Sequence, residues 1–453
     1  MSQHTYSTYK KMPVVLGVLI WLVAWGFFHA YLVSIQNFQP QSLIAQENES
    51  LEQSFQDAYV NKDIVPLSWE VASFGIDSEI PVNAQAAILI DIDSGAVLFE
   101  KNADEIIPPA SMTKLVAMYV VFQEIATGAV SLDDIVPLPP ESWATNAPPG
   151  SSLMFLNDGH IVTLYELLLG LALPSGNDAA VAVAYYISGG MEEFLQQMNS
   201  EVANLGLANT HFVDSSGYDE KNTTTAREFA TFARHYVQQY PESLDLFHSV
   251  KSMVYPQEHN LPTWRKGKDL PITKANTNPA LGVIEGVTGL KTGFIPQSGY
   301  NFVLTIERDG TRILSVTMGG PGKNTSEGNR YRLQDARNIS NYAYDNFKTV
   351  HYDDLLCLNL PVLGGNENIV YVHEYRNEGI TVPANAETLT RTVDIPPFCT
   401  SPIMQGDVLG KVVYTVDDIT VLEIDLYADR TIENAGTIKS SVDYVVAAIL
   451  SVQ

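Results

Sequence analysis

The stretch PASMTKL, Pro109 to Leu115, sets a serine and a lysine three residues apart at the head of an almost wholly apolar run, Met112 to Ile125. A lysine there either reaches solvent along its stem or is held inside for chemistry, and the second arrangement carries a large desolvation cost. Residues three apart on a helix share a face, with Cβ atoms about 5–6 Å apart, so Ser111 and Lys114 are placed to touch. A serine needs a base to become a nucleophile, and an amine serves only when neutral, the state that apolar surroundings favour. The pattern predicts a buried central helix opened by Pro108-Pro109 and ending near Gly128.

The flanking chain fixes the class of domain. AAILIDI, a DSG turn and AVLFEK predict a β-hairpin over Ala86 to Lys101. Helices are expected at Leu164 to Leu173, Asp178 to Ile187 and Met191 to Leu205, and another begins at Thr225, where TARE reads as a capping box. YNFVLTIE, RDG and TRILSVTM predict a second hairpin with a tight Asp309-Gly310 turn, and a last helix is expected from Leu333 to Phe347. Hairpins at both ends with helices between them imply an α+β domain with an antiparallel sheet. From Val350 short β-like runs, among them LLCLNLPVL, GITVPA and KVVYTV, read as a small all-β sandwich ending near Ala428. The apolar tail reads as a last helix or strand packed on that domain.

With 26 Lys plus Arg against 52 Asp plus Glu, the formal charge of −26 opposes binding to nucleic acid. Pro13 to Val33 is apolar almost throughout and follows Lys10 and Lys11, with no Lys or Arg after it before Lys62. That reads as an uncleaved membrane anchor rather than a signal peptide, with everything downstream outside the cytoplasm. Cys357 and Cys399 are the two cysteines, and their pairing is left open. No histidine spacing suits a metal, HEYRN is not a zinc motif, GGPGKNT is not a phosphate loop, and no Gly-x-Ser-x-Gly elbow occurs. Neither a cofactor nor a metal is expected.

A Ser-x-x-Lys pair alone is weak, since about one is expected by chance in a chain this long, and Ser7-Thr8-Tyr9-Lys10 is a second. Two further motifs give Ser111 its meaning: Ser175-Gly176-Asn177 at the head of a helix, and Lys291-Thr292-Gly293 ahead of the second hairpin. In this order the three match the active-serine penicillin-recognising enzymes. ILIDIDSGAVLFEKNADEIIPPASMTKL, LPSGNDAAVAVA, NTHFVDSSGYDE and GVTGLKTGFIPQSGYNF resemble, segment by segment, the serine-type D-alanyl-D-alanine carboxypeptidases, the low-molecular-mass type-5 penicillin-binding proteins. The likeness covers roughly Ala84 to Phe347, and the β-rich remainder is similar to that family's second domain.

The resemblance implies an α+β penicillin-recognising catalytic domain over residues 83–347, followed by an all-β domain over 350–430 and a tail over 431–453. An anchor over 1–36 and a polar linker over 37–82 would precede them. It also implies roles. Ser111 would attack the carbonyl between the last two D-alanines of a peptidoglycan stem, Lys114 would take its proton, Ser175 would protonate the departing D-alanine, and Asn177 would hold the substrate backbone. Lys291, Thr292 and Gly293 would neighbour the terminal carboxylate with help from Arg332, and the N–H groups of Ser111 and Phe294 would bind the oxyanion. β-Lactams would acylate Ser111, and the enzyme would work in the bacterial envelope on the periplasmic side of the cytoplasmic membrane. Two departures stand out: Phe294 where many relatives have histidine, and Thr288 where an acidic residue is common. A DD-endopeptidase shares this machinery, a class A β-lactamase would need a deacylating glutamate that neither Glu201 nor Glu220 supplies convincingly, and a non-catalytic scaffold is the reading from a different class.

Overall fold

The computed structural model describes residues 12–38, 79–351, 356–374 and 379–450. They fall into two compact units, residues 79–351 with 379–386, and residues 12–38 with 356–374 and 387–450.

In the second of these, α1 (Met12–Gln36) is one unbroken apolar helix of 25 residues without Asp, Glu, Lys or Arg. Its described side chains begin at Gly17, and over the described residues no helix is long and apolar enough to cross a membrane. Phe28, Tyr31 and Ile35 of α1 pack with Val446 and Ala447 of the C-terminal helix Thr437–Leu450 and with Leu363. The Tyr31 hydroxyl donates to Asp443 Oδ1 at 3.0 Å, and Asp443 Oδ2 accepts from Gly364 N at 2.9 Å. The tail is therefore a helix packed on its own unit, as the sequence suggested. The strands between form one six-stranded sheet. Cys357 and Cys399 are both free thiols.

The larger unit is built on a five-stranded antiparallel sheet. Its strands are β1 (Ala86–Asp91), β2 (Val97–Lys101), β5 (Val287–Ile295), β6 (Gly299–Arg308) and β7 (Thr311–Gly320), while β3 (Ser252–Tyr255) and β4 (Ile272–Ala275) pair as a separate hairpin. The sheet order is β2-β1-β7-β6-β5, so strands from both ends of the domain meet at β1 and β7, and the Lys-Thr-Gly strand lies at an edge. All six residues of β1 are buried because both faces are covered. Side chains alternate across a strand, and Ile88 and Ile90 join the helical core on one face. Ala87 and Leu89 pack with Ala336, Ile339 and Ala343 on the other. Burying such side chains contributes about 25 cal/mol per Å² of apolar surface removed from water.

The helices are α2 (Lys114–Ala126), α3 (Leu164–Ala172), α4 (Asn177–Ser188), α5 (Met191–Asn204), α6 (Ala226–Gln239) and α7 (Thr325–Asn346). Three features differ from the sequence reading. Helix α7 starts eight residues before Leu333, because the Asn324 side chain caps Glu327 N. Thr225 caps Glu228 N, but Glu228 does not return the bond: its carboxylate takes Asn209 N and Thr210 Oγ1 instead, which ties the 207–211 turn to α6. The GITVPA strand, read as part of the β domain, pairs through Ile380–Pro383 with β8 (Phe347–Val350) and so belongs to the larger unit. Thr349 and Thr381 both donate to the buried Asp91 Oδ2, at 2.7 and 2.8 Å, which holds that two-stranded ribbon in place.

Candidate active site

Ser111 lies in a tight helical turn, Ala110–Thr113, that runs straight into α2, and Ala110 takes a positive φ of 50° to make the entry. Lys114 opens α2 and is fully buried. Its Nζ stands 3.1 Å from Ser111 Oγ, 2.8 Å from Asn177 Oδ1 and 2.5 Å from the carbonyl oxygen of Ser216. Burial pushes the Lys114 amine down to about 7, against the opposing pull of Asp214 and Asp178. A neutral amine has two N–H bonds and one lone pair. The amide and carbonyl oxygens can only accept and so take both N–H groups, which leaves the lone pair for the hydroxyl of Ser111. The geometry suits proton transfer from serine to lysine.

Ser175 is buried and also strained, with φ at 61°. Among the described residues its hydroxyl has no hydrogen-bond partner, a costly state for a buried group and one expected where a substrate or water supplies the bond. Asn177 is anchored by its own N–H to Ser152 O at 2.8 Å. The next residue, Asp178, is 2 % exposed and receives Met154 N, Phe155 N, Leu156 N and Ala179 N at 2.7–3.0 Å, so it fastens the 152–156 segment to the head of α4. Burial raises its carboxyl above the usual range and these N–H groups pull it back.

On β5 the Lys291 side chain is 1 % exposed and donates to Thr292 O at 3.2 Å. Burial first, then Lys114 and Arg332, hold it well below an ordinary lysine. The Thr292 hydroxyl donates to Thr277 Oγ1 at 2.8 Å. Gly293 is required by close approach: a Cβ there would lie 2.6 Å from Pro109 O and 3.2 Å from Met112 N, so only glycine lets the edge strand sit against the serine turn. Phe294 points outward, 46 % exposed, and stacks on Tyr300 with ring centroids 4.4 Å apart. Thr288 has found a partner other than a cation, the Thr305 hydroxyl at 2.9 Å.

The Arg332 side chain turns to the backbone around the Lys-Thr-Gly strand. Its guanidinium is buried and occupied: it donates to Gly293 O, to Asn301 O at 3.1 Å and to Asn329 Oδ1 at 2.8 Å, and it covers the Tyr300 ring. Burial lowers its pKa to about 10. Arg332 supports the backbone of the Lys-Thr-Gly strand.

Four further residues complete the site, and all come from the NTHFVDSSGYDEKN stretch. Ser216 supplies the carbonyl that holds Lys114. Asp214 fixes that loop by accepting from Ser216 N, Ser216 Oγ and Tyr218 N. Asn222, fully buried, donates to Thr113 Oγ1 and Asp214 O and accepts from Val213 N and Asp214 N, tying the loop to the turn that carries Ser111. Gly217 lies directly against Ala110. The serine doublet followed by glycine, between two Asp residues, was the signal available in the sequence.

An α+β domain in which a Ser-x-x-Lys turn, a Ser-Gly-Asn loop and a Lys-Thr-Gly edge strand converge on one buried amine defines the class of active-serine penicillin-recognising enzymes. Residues 75–322 match the family model described as D-alanyl-D-alanine carboxypeptidase, and residues 344–434 match that of the penicillin-binding protein 5 C-terminal domain. The chain belongs to the D-alanyl-D-alanine carboxypeptidase family. It is 30% identical over 401 residues to the D-alanyl-D-alanine carboxypeptidase DacA of Haemophilus influenzae, covering 87% of this chain and 97% of that one. With DacC of Escherichia coli it shares 29% identity over 376 residues, 80% of this chain and 88% of the other. Among solved structures, penicillin binding protein 5 from Haemophilus influenzae superposes with a TM-score of 0.69 at 28% identity, across 79% of this chain and 100% of that chain.

Proposed function

We propose that this protein is a serine DD-carboxypeptidase that removes the terminal D-alanine from peptidoglycan stems. The observation that carries the reading is the three-way hold on Lys114 Nζ by Asn177, Ser216 and Ser111. In the first half-reaction Ser111 Oγ bonds to the carbonyl carbon between the two D-alanines while Lys114 takes the hydroxyl proton. The C–N bond then breaks as the unpartnered hydroxyl of Ser175 relays a proton to the departing amine. Asn177 orients the peptide, Lys291 and Thr292 flank its terminal carboxylate, and the N–H groups of Ser111 and Phe294 receive the oxyanion. Water then hydrolyses the acyl-enzyme. A β-lactam enters the same first half-reaction and leaves a serine adduct.

In this reading α1 holds the enzyme in the cytoplasmic membrane: counted with the residues before Gly17, whose side chains lie outside the described set, its 25 residues span about 37 Å at 1.5 Å per residue, against a hydrocarbon core of about 30 Å, and exposed Trp21, Trp25 and Phe27 suit lipid better than water.

The test is to incubate the full chain in detergent with a muropeptide ending in D-Ala-D-Ala, and with a cross-linked dimer, beside Ser111→Ala. Loss of one alanine from the monomer, absent in the variant, is expected. Cleavage of the dimer alone would make the protein an endopeptidase, and no cleavage of either would leave a scaffold.

A further inference from the structure

One side of the cleft around Ser111 is closed by a single side chain. Ser216 O meets Lys114 Nζ at 2.5 Å, and a Cβ on Gly217 would lie 2.9 Å from Ser111 N, so this loop runs directly along the nucleophile. Tyr218 is the next residue, about 3.8 Å further along the chain from Cα to Cα. Its N–H is fixed to Asp214 Oδ2 at 2.6 Å, and its hydroxyl donates to Pro149 O at 3.2 Å. Pro149 belongs to the opposite wall. Three residues on, Ser152 O receives the Asn177 N–H at 2.8 Å, and Asp178 takes the N–H groups of Met154, Phe155 and Leu156.

Hydrogen bonds therefore form a closed ring, from Lys114 to Asn177, through the 149–152 segment to Tyr218, and back by way of Ser216 to Lys114. Among the described residues the Tyr218 hydroxyl makes the only hydrogen bond between the 213–219 loop and the 146–156 segment, and none joins that loop to β5. This closing bond lies at the surface. Tyr218 is 43 % exposed, Pro148, Pro149 and Gly150 are exposed as well, and a Cβ on Gly150 would meet nothing within 4 Å. Water can replace either partner of such a neutral bond, so it opens at little cost. In the carboxypeptidase reading the departing D-alanine lies toward Ser175 and the Thr292 and Thr277 pair, on the β5 side. The acyl arm, on the other side of the reacting carbonyl, then follows Asn177 toward the 149–152 segment and passes Tyr218.

We propose that Tyr218 is a specificity residue for the acyl arm, a latch that admits slender arms and obstructs bulky ones until its bond to Pro149 O breaks. This rests on the carboxypeptidase reading. The test measures second-order acylation of the full chain in detergent by two penicillins, one with an acetyl side arm and one whose arm is a phenyl ring with methoxy groups at both ortho positions. Both react alike: Ser111 Oγ bonds to the ring carbonyl carbon, the ring C–N bond breaks, and the serine proton ends on the ring nitrogen. Tyr218→Ala should raise the rate with the bulky arm roughly 10- to 100-fold and leave the acetyl-arm rate within about threefold. Tyr218→Phe, which keeps the ring and loses only the latch bond, should give a smaller gain of the same selectivity. Equal changes with both penicillins would make Tyr218 a structural prop for the Ser216 carbonyl and overturn the proposal, as would unchanged rates or a loss confined to the bulky arm. A parent chain acylated by neither penicillin would sink the carboxypeptidase reading, and the proposal with it.

Discussion

Gly217 packs so closely on Ala110 that a Cβ there would stand 1.8 Å from the Ala110 carbonyl oxygen and 2.9 Å from Ser111 N. The loop that supplies the third contact to Lys114 is thus pressed against the turn that carries the nucleophile. Gly217 also has φ at +78°, which any L side chain resists. Gly217→Ala should therefore destabilise the domain by more than about 2 kcal/mol and slow acylation by a labelled penicillin at least tenfold. A variant that melts and acylates like the parent would show that the loop can withdraw without loss, and that Ser216 is dispensable.

The lowered basicity of Lys114, to about 7, predicts a pH dependence with a definite sign. A general base must be neutral, so the rate constant for serine acylation should climb with pH, reach half its plateau near 7, and fall about tenfold per unit well below that. The amine's effect on stability has the same direction. The folded pKa lies below the unfolded value of 10.5, so the unfolded chain binds more protons between about 7 and 10.5. The penalty for burying this amine is then full below about 7 and relieved as pH rises through that window. A rate flat from pH 5 to 9 would remove Lys114 from the role of base.

The three motifs were legible because each combines residues whose chemistry is uncommon in its setting: an amine in an apolar helix, an asparagine at a buried helix start, a lysine on a strand. Hairpins and helix starts were readable from local turn and cap residues. What escaped depends on contacts between distant segments. Nothing local in DSSGYD says that the Ser216 carbonyl will meet Lys114, 102 residues earlier in the chain. Glu228 looked like half of a capping box until Asn209 and Thr210 competed for its carboxylate. Strand Ile380–Pro383 looks like its neighbours in sequence, and pairing with Phe347–Val350 and a bond from Thr381 to Asp91, 290 residues away, give it a different home.

Asp178 is the hinge pin between the Ser-Gly-Asn helix and the 152–156 segment. Asp178→Asn keeps the shape but replaces one accepting oxygen with a donor that faces N–H groups of Met154, Phe155 or Leu156. Leaving one or two buried N–H groups unpaired costs roughly 2–4 kcal/mol. Thermal denaturation should show a fall of several degrees, and peptide KM should rise as the segment that receives the Asn177 N–H through Ser152 O loosens. An unchanged melting point would mean that the segment is held by other contacts.

Arg332 offers the sharpest separation between support and substrate binding. Its guanidinium spans the carbonyls of Gly293 and Asn301 and lies over Tyr300, which in turn stacks on Phe294. A lysine keeps the charge but has neither the planar fork nor the flat face, so Arg332→Lys is not conservative here. If the arginine met the substrate carboxylate as a charge, the lysine variant would retain most of the activity. Because it instead holds the strand that presents the Phe294 N–H, the variant should lose about tenfold in acylation, and the loss should be equal for donors with and without a leaving-group carboxylate. Measured second-order acylation rates with both donors decide the matter: a deficit confined to the carboxylate-bearing donor would return Arg332 to the substrate, and a common deficit would leave it beneath the strand.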